Sequence, residues 1–280
     1  MENQKRKEYA ELCAIILLSR KPGVGAARFV ELLQKWGCPE KALEKTEEDS
    51  LEKEKRPKTT FVPPSWETLQ CRQISFCYYG GNHYPKMFYA LSEPPPYLFY
   101  RGHPFWESEP ILSIVGSRTP SSKGIQLAQK ITQWAVQEGY GIASGGAFGI
   151  DAVAHQTCLD LGGKTMVLLA CGVEKVYPKK HQNLFQTILN TQGCLISEFL
   201  PETAPRISFF PTRNRLLAGI AESVIWIEGR ANSGALYTAK KTLQLRKKLW
   251  VGYGDIPELQ EGPKMFLSQG ASMISDLLKT

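Results

Sequence analysis

Residues 111–150 read ILSIVGSRTPSSKGIQLAQKITQWAVQEGYGIASGGAFGI. The stretch opens on an uninterrupted apolar run, 111–117, that closes in a Gly-Ser turn. It continues through 122–139, where Ile125, Ala128, Ile131 and Ala135 recur at helical spacing, and returns to a second short apolar run at 140–144. A strand covered on both faces is apolar throughout, whereas a helix packed on one side repeats every three to four residues. The order is therefore strand, helix, strand.

The same alternation runs on to the C-terminal end. Helices are expected over 150–163 (Ile150, Val153, Ala154, Thr157 and Leu161 on one face), 181–193, 213–222 and 233–246, and strands over 165–170, 194–198, 223–229 and 248–253, followed by two short helices. Strands and helices in strict alternation with short connections specify an α/β fold, a mostly parallel sheet with helices on both faces.

Upstream, the pattern changes. Residues 8–45 read as helices, with YAELCAIILLSR and AARFVELLQKWG separated by KPGVG and with Phe29, Leu32 and Leu33 at helical spacing. The turn Pro22-Gly23-Val24-Gly25 resembles that of a helix-hairpin-helix, although an ordinary glycine turn in a small helical module is the simpler reading. Residues 44–60 are a charged run, either a solvated helix or a linker. Residues 61–110 are rich in proline and aromatics, and the triplet 94–96 excludes helix there, so this segment reads as a packed arm. The expected division is a small N-terminal all-helical domain at 1–60 and an α/β domain at 61–280.

Composition narrows the function classes. With 42% apolar and 22% charged residues the chain is not mainly disordered, and no apolar run approaches the roughly 18 residues of a membrane span. The charged N-terminus lacks the apolar core of a signal peptide, so a cytoplasmic location and no membrane partner are expected. The seven cysteines are scattered without a C-x-x-C pair, and the four histidines lack metal-ligand spacing, which argues against a disulfide scaffold or a zinc site. Net charge is +7, concentrated in residues 111–280, where 18 Lys and Arg face 12 Asp and Glu. That excess points to a polyanionic partner or to solubility alone.

Ligands of such sheets bind beyond the carboxyl ends of the strands, and four segments fall at that edge. They are Gly116-Ser117-Arg118; Ser144-Gly145-Gly146-Ala147-Phe148-Gly149; Phe209-Phe210-Pro211-Thr212-Arg213-Asn214-Arg215; and Asn232-Ser233-Gly234. The second reads either as a tight turn or as a backbone cradle for an anion at a helix N-terminus, where Asp151 would compete with that anion. In the third, Phe209 and Phe210 either anchor the loop or offer π-faces to bases. Arg213 and Arg215 either pair structurally or grip a sugar-phosphate backbone. Together the segments point to an anion with more than one phosphate.

Other chemistries find less support. Gly162-Gly163-Lys164-Thr165 mimics the end of a Walker A loop, but Cys158 stands where its first glycine belongs and a strand follows instead of preceding it. No G-x-G-x-x-G follows the first strand, so no dinucleotide cofactor is expected. A Ser144–His155–Asp151 relay lacks the G-x-S-x-G elbow of a nucleophile. No catalytic residue and no cofactor are assigned.

Taken in order, IVGSRTPSSKG, IASGGAFGIDAVAH, ACGVEKVYP, ISEFLPETAP, FFPTRNRLLAGIAESVIWIEG and SGALYTAKKTLQLRKKLWV resemble the DNA processing protein A (DprA/Smf) family over roughly 65–280, and the N-terminal module resembles the small SAM-like or helix-hairpin-helix-like domain that many members carry. The resemblance implies an extended Rossmann-like domain that binds single-stranded DNA and loads a RecA-type recombinase, in natural transformation among other settings. It also implies a homodimer with no demonstrated catalytic reaction. By motif it carries nucleic-acid binding to Arg118, to Ser144, Gly145, Gly146, Phe148 and Gly149, to Phe210, Arg213, Asn214 and Arg215, and to Ser233 and Gly234.

The chain departs from the family's pattern in several places. Phe148 replaces a common arginine, which either removes a phosphate contact or adds a stacking surface. Glu174 and His181 stand where Asp and Asn are common, Val251-Gly252-Tyr253 replaces V-P-G, and no winged helix is expected after residue 280. The rival reading is a Rossmann-like enzyme or sensor for a free nucleotide, against which stands the lack of a P-G-G-x-G-T-x-x-E setting.

Overall fold

The computed structural model describes residues 2–51 and 61–279. It divides into two compact units, 1–99 and 100–280.

The first unit holds α1 (Glu2–Ser19), α2 (Ala26–Trp36), α3 (Pro39–Leu51), α4 (Trp66–Cys71), β1 (Ser75–Tyr78) and most of β2 (Tyr97–Gly102). Gly23 sits at φ +78 in the turn between α1 and α2, and Gly37 closes α2 in the left-handed conformation, returning its N–H to Leu33 O. Helix α3 takes up the start of the charged run; 52–60 lie outside the described residues. The 61–99 segment packs into the helices that precede it and shares their compact unit. Tyr9 donates to Pro64 O at 3.0 Å and meets Trp66 at 5.7 Å, Tyr78 donates to Glu11, and Phe29 meets the Tyr79 ring edge-on at 6.0 Å. The proline triplet is non-helical as expected, whereas α4, β1 and β2 are additions to the arm reading.

The second unit carries β3 (Ile111–Gly116), α5 (Ser122–Gln137), β4 (Gly141–Ser144), α6 (Ile150–Asp160), β5 (Thr165–Leu168), α7 (Gln182–Asn190), β6 (Cys194–Ser197), α8 (Phe209–Ile220), β7 (Ser223–Ile227), α9 (Ala235–Gln244), β8 (Lys248–Gly252), α10 (Glu261–Leu267), β9 (Ser272–Met273) and α11 (Ile274–Leu277). The alternation expected from sequence is present throughout, with β9 added. Seven of the strands run in the order β6-β5-β4-β3-β7-β8-β9, and every neighbouring pair is parallel. Strand β3 is central. The chain leaves it towards β4 on one side and leaves β7 towards β8 on the other, so the crevice between the ends of β3 and β7 is the topological switch point.

The core around β3 joins Leu112, Ile114, Ile142, Ile225 and Ile227 of the strands to Ala128, Ile131 and Ala135 of α5. Helix α6 buries Ile150, Ala154 and Cys158, with Asp151 and His155 beside them; Val153 and Thr157 are only half-buried and Leu161 is exposed. The inward face is thus rotated from the expected stripe, and two polar side chains go inside because each finds partners there.

His155 has no exposed surface. The Thr165 hydroxyl donates to Ile142 O at 3.0 Å, so the His155 Nδ1–H must donate to Thr165 Oγ1, at 2.7 Å. Burial, reinforced by the nearby His181 and Arg213, holds the imidazole pKa down at about 3. The unfolded chain takes up that proton near pH 6.5 and the folded chain does not. This contribution to stability is therefore complete above pH 6.5 and is lost as the pH falls towards 3, by about 1.4 kcal/mol per pH unit. Urea unfolding between pH 4 and 6 should show that slope, and His155→Gln should remove it.

Candidate nucleic-acid interface

At the switch point lies a cavity of about 410 Å³, lined by residues of the turns after β3 and β7 and by the starts of α6, α8 and α9. Of the residues expected to form a site, it gathers Arg118, Phe210, Arg213, Asn214, Ser233 and Gly234. The sequence reading missed Arg230, which is exposed on the wall; the signal available was a cation between the end of a strand and an S-G turn.

The turn after β3 is fixed by its backbone. Gly116 lies so close to β7 that a Cβ would fall 2.0 Å from Ile227 O, and the Ser117 N–H returns to that carbonyl at 3.2 Å. The exposed Arg118 then projects over the Phe210 ring, 5.5 Å from its centroid. Across the opening, Glu228 is buried at φ 55 and accepts from the Ser121 N–H (2.8 Å), the Ser121 hydroxyl (2.5 Å) and the Gly254 N–H (3.0 Å). One carboxylate thereby ties together the connections that follow β3, β7 and β8.

Helix α8 begins at Phe209, so the aromatic pair expected in a loop forms the helix's first turn. Phe209 stacks on Phe199 at 4.1 Å, which anchors that turn. Phe210 is half-buried, with Tyr177 edge-on at 5.7 Å and the Arg213 guanidinium 6.0 Å from its centroid.

The two arginines of this segment do not face solvent as the backbone-gripping alternative expected. Arg213 is 4% exposed: it donates to Gly145 O at 2.7 Å, to Leu168 O, and through Nε to Asn214 Oδ1 at 2.9 Å. Burial lowers its pKa to about 10, against the pull of Asp151. Arg215 makes a two-pronged pair with Glu198, at 3.0 and 2.5 Å, and lies away from the cavity wall. Both are drawn in because their planar forks find carbonyl and carboxylate acceptors in fixed geometry. Asn214 passes the restraint on, donating to Gly234 O at 2.9 Å.

The glycine-rich loop differs from an open anion cradle. Asp151 Oδ2 accepts the N–H groups of Gly145 (3.1 Å) and Ala147 (3.3 Å), so the loop carries its own anion. Burial pushes that carboxyl above its ordinary range, opposed by Arg213 and by those two N–H groups. Ser144 donates to Ile114 O at 2.5 Å and His155 is paired with Thr165, so no Ser144–His155–Asp151 relay forms. Gly146 packs against Val167 and Phe185, Gly149 against Ser117 O, and only Phe148 of this loop is exposed, edge-on to His181 at 4.7 Å. The Walker-like Gly162-Gly163-Lys164 is a turn, with Lys164 paired to Glu109.

The family model described as DNA recombination-mediator protein A matches residues 75–279. Protein Smf of Synechocystis is 36% identical over 197 residues, 68% of this chain and 49% of that protein. DNA processing protein DprA of Bacillus subtilis is 32% identical over 70% of this chain and 66% of its own length. The aligned part of the chain thus spans about half to two thirds of these relatives.

Among solved structures, DNA processing protein A from Helicobacter pylori, whose report concerns its single-stranded DNA binding mode, has a TM-score of 0.66 at 27% identity, covering 74% of this chain and 96% of that one. DprA from Streptococcus pneumoniae shares the fold with a TM-score of 0.70 at 24% identity, over 99% of this chain and 96% of that one. A family match over most of the chain, on a fold shared with these structures, places this chain in the DNA recombination-mediator protein A (DprA/Smf) family.

Proposed function

We propose that this chain binds single-stranded DNA in the switch-point cavity and delivers it to a RecA-type recombinase, as a binding protein and not as an enzyme. The observation that carries the reading is a pair of exposed arginines lining one cavity, Arg118, whose guanidinium lies over the half-buried Phe210 ring, and Arg230. Among the described residues neither arginine has a carboxylate partner. Unpaired guanidiniums attract phosphates, and an aromatic face accepts a base of any sequence. The Helicobacter relative's single-stranded DNA binding and the family's description as recombination mediators support the same reading.

The residues divide into two groups. Arg118 and Arg230 contact the backbone, and Phe210 and the exposed Phe148 offer rings. Arg213, Asn214 and the 144–149 loop act through positioning, since their polar groups are engaged within the protein, and Arg215 ties α8 to Glu198.

Log affinity should fall with log salt by about 0.7 for each phosphate neutralised on a single strand. Arg118→Ala should weaken binding to all sequences alike and flatten that slope by about 0.7. Fluorescence anisotropy over a salt series, on single- and double-stranded oligonucleotides, measures both; salt-independent binding would falsify a backbone-led grip.

Arg213→Lys keeps the charge but loses the fork. It should lower single-strand affinity about tenfold or more while leaving the salt slope unchanged, in the same titration. A parallel loss of slope would mean that Arg213 itself touches phosphate.

A further inference from the structure

The end of the cavity formed by α9 has more donors than its own fold uses. The N-cap of helix α9 is Gly234, which has no side chain to cap the helix. The N–H groups of Leu236 and Tyr237 are taken by Ser233 O (3.1 Å) and Gly234 O (3.3 Å); among the described residues, those of Gly234 and Ala235 have no partner. Two buried hydroxyls lie in the same cavity wall without a partner, Ser233 Oγ and Thr238 Oγ1. Thr238 is 0% exposed. Its neighbour one turn on, Thr242, uses the usual solution and donates back to Thr238 O at 2.8 Å. For Thr238 the equivalent acceptor is Gly234 O, which already takes the Asn214 amide and the Tyr237 N–H. Buried hydroxyls in folded proteins are almost always paired, so one that lines a cavity at a helix start points to an absent acceptor.

The electrostatics select the acceptor's charge. Arg118 and Arg230 stand on the same wall, and the positive end of the α9 dipole faces it. Asp151 is the only carboxylate among the lining residues, and the Gly145 and Ala147 N–H groups occupy it. The two guanidiniums, with the helix dipole and the spare N–H and hydroxyl donors beside them, bring more positive charge than the single negative charge of an internal phosphodiester can balance. A phosphomonoester has three unbridged oxygens and carries close to two charges above pH 6.

We propose that the α9 corner is a subsite for the terminal phosphomonoester of an unpaired strand, so that the protein recognises a phosphorylated end as well as the interior of the chain. The inference rests on the single-strand reading above and adds the part of the strand that enters the cavity.

The test uses one internally labelled 20-mer in three forms: 5′-phosphate with 3′-hydroxyl, 3′-phosphate with 5′-hydroxyl, and hydroxyl at both ends. Anisotropy with the full chain should show one phosphorylated form binding about tenfold tighter than the hydroxyl form, and which one it is gives the polarity of the bound strand. The ratio should shrink as the pH is lowered through 6, where the monoester loses its second charge. Thr238→Val should bring the ratio towards one, and Thr238→Ser, which keeps the hydroxyl, should preserve it. Ser233→Ala supplies the same comparison if Thr238→Val does not fold. Equal affinity of the wild-type chain for all three forms overturns the end subsite and leaves single-strand binding intact. Failure of every form to bind at low salt overturns both.

Discussion

The buried guanidinium of Arg213 is the contact on which the rest of the site depends. It reaches from α8 to the carbonyls that end β4 and β5, with Asp151 close enough to pull on its charge and Asn214 against its Nε. A charge taken out of water survives only when its remaining donors are satisfied in good geometry, and removing one partner leaves the other stranded. That condition fixes where α8 begins, and so where Phe210 sits. Through Asn214 and Gly234 O it also fixes where α9 begins. Gly145 follows from the same constraint, because a Cβ there would stand 2.6 Å from the guanidinium.

The charges near the cavity therefore fall into two populations. Arg213, Asp151, Glu228, Arg215 and Glu198 are consumed internally and set distances between strand ends. Arg118 and Arg230 are left over and face the opening. Only the second population can exchange counterions for a polyanion, which is why formal net charge overstates the electrostatic reach of the site. The Asp151 carboxylate also changes the meaning of the glycine-rich loop. Two of its N–H groups point at an anion that is part of the chain, so the loop is rigid before any ligand arrives.

Much of this was legible in the sequence, and the failures have physical reasons. The continuous apolar runs at 111–117, 165–170 and 223–229 could only be strands covered on both faces, and all three are. The four segments at the sheet edge were legible because strand ends must be followed by turns. What periodicity could not supply was the direction of a polar side chain. Asp151 and His155 point inward because single partners, a pair of N–H groups and a threonine hydroxyl, await them, and no spacing rule encodes a single partner. Arg213 and Arg215 looked alike as neighbours in a basic segment, yet one is sunk beneath the loop and the other clasps Glu198. The packing of Tyr9, Glu11 and Phe29 against Trp66, Tyr78 and Tyr79, which joins 61–99 to the helices before it, was hidden because it is long-range.

Three glycines of the 144–149 loop are hemmed in on separate sides: Gly145 by a guanidinium, Gly146 by Val167 and Phe185, and Gly149, at φ +75, by the Ser117 carbonyl. Ser144 is fully buried, while Phe148 is 42% exposed. Chemical variety in this loop is thereby funnelled into one address. A cation, a ring or a small polar group can be exchanged at 148 without disturbing the scaffold, so relatives sharing this backbone can diverge in what they prefer to hold while the machinery beneath stays the same.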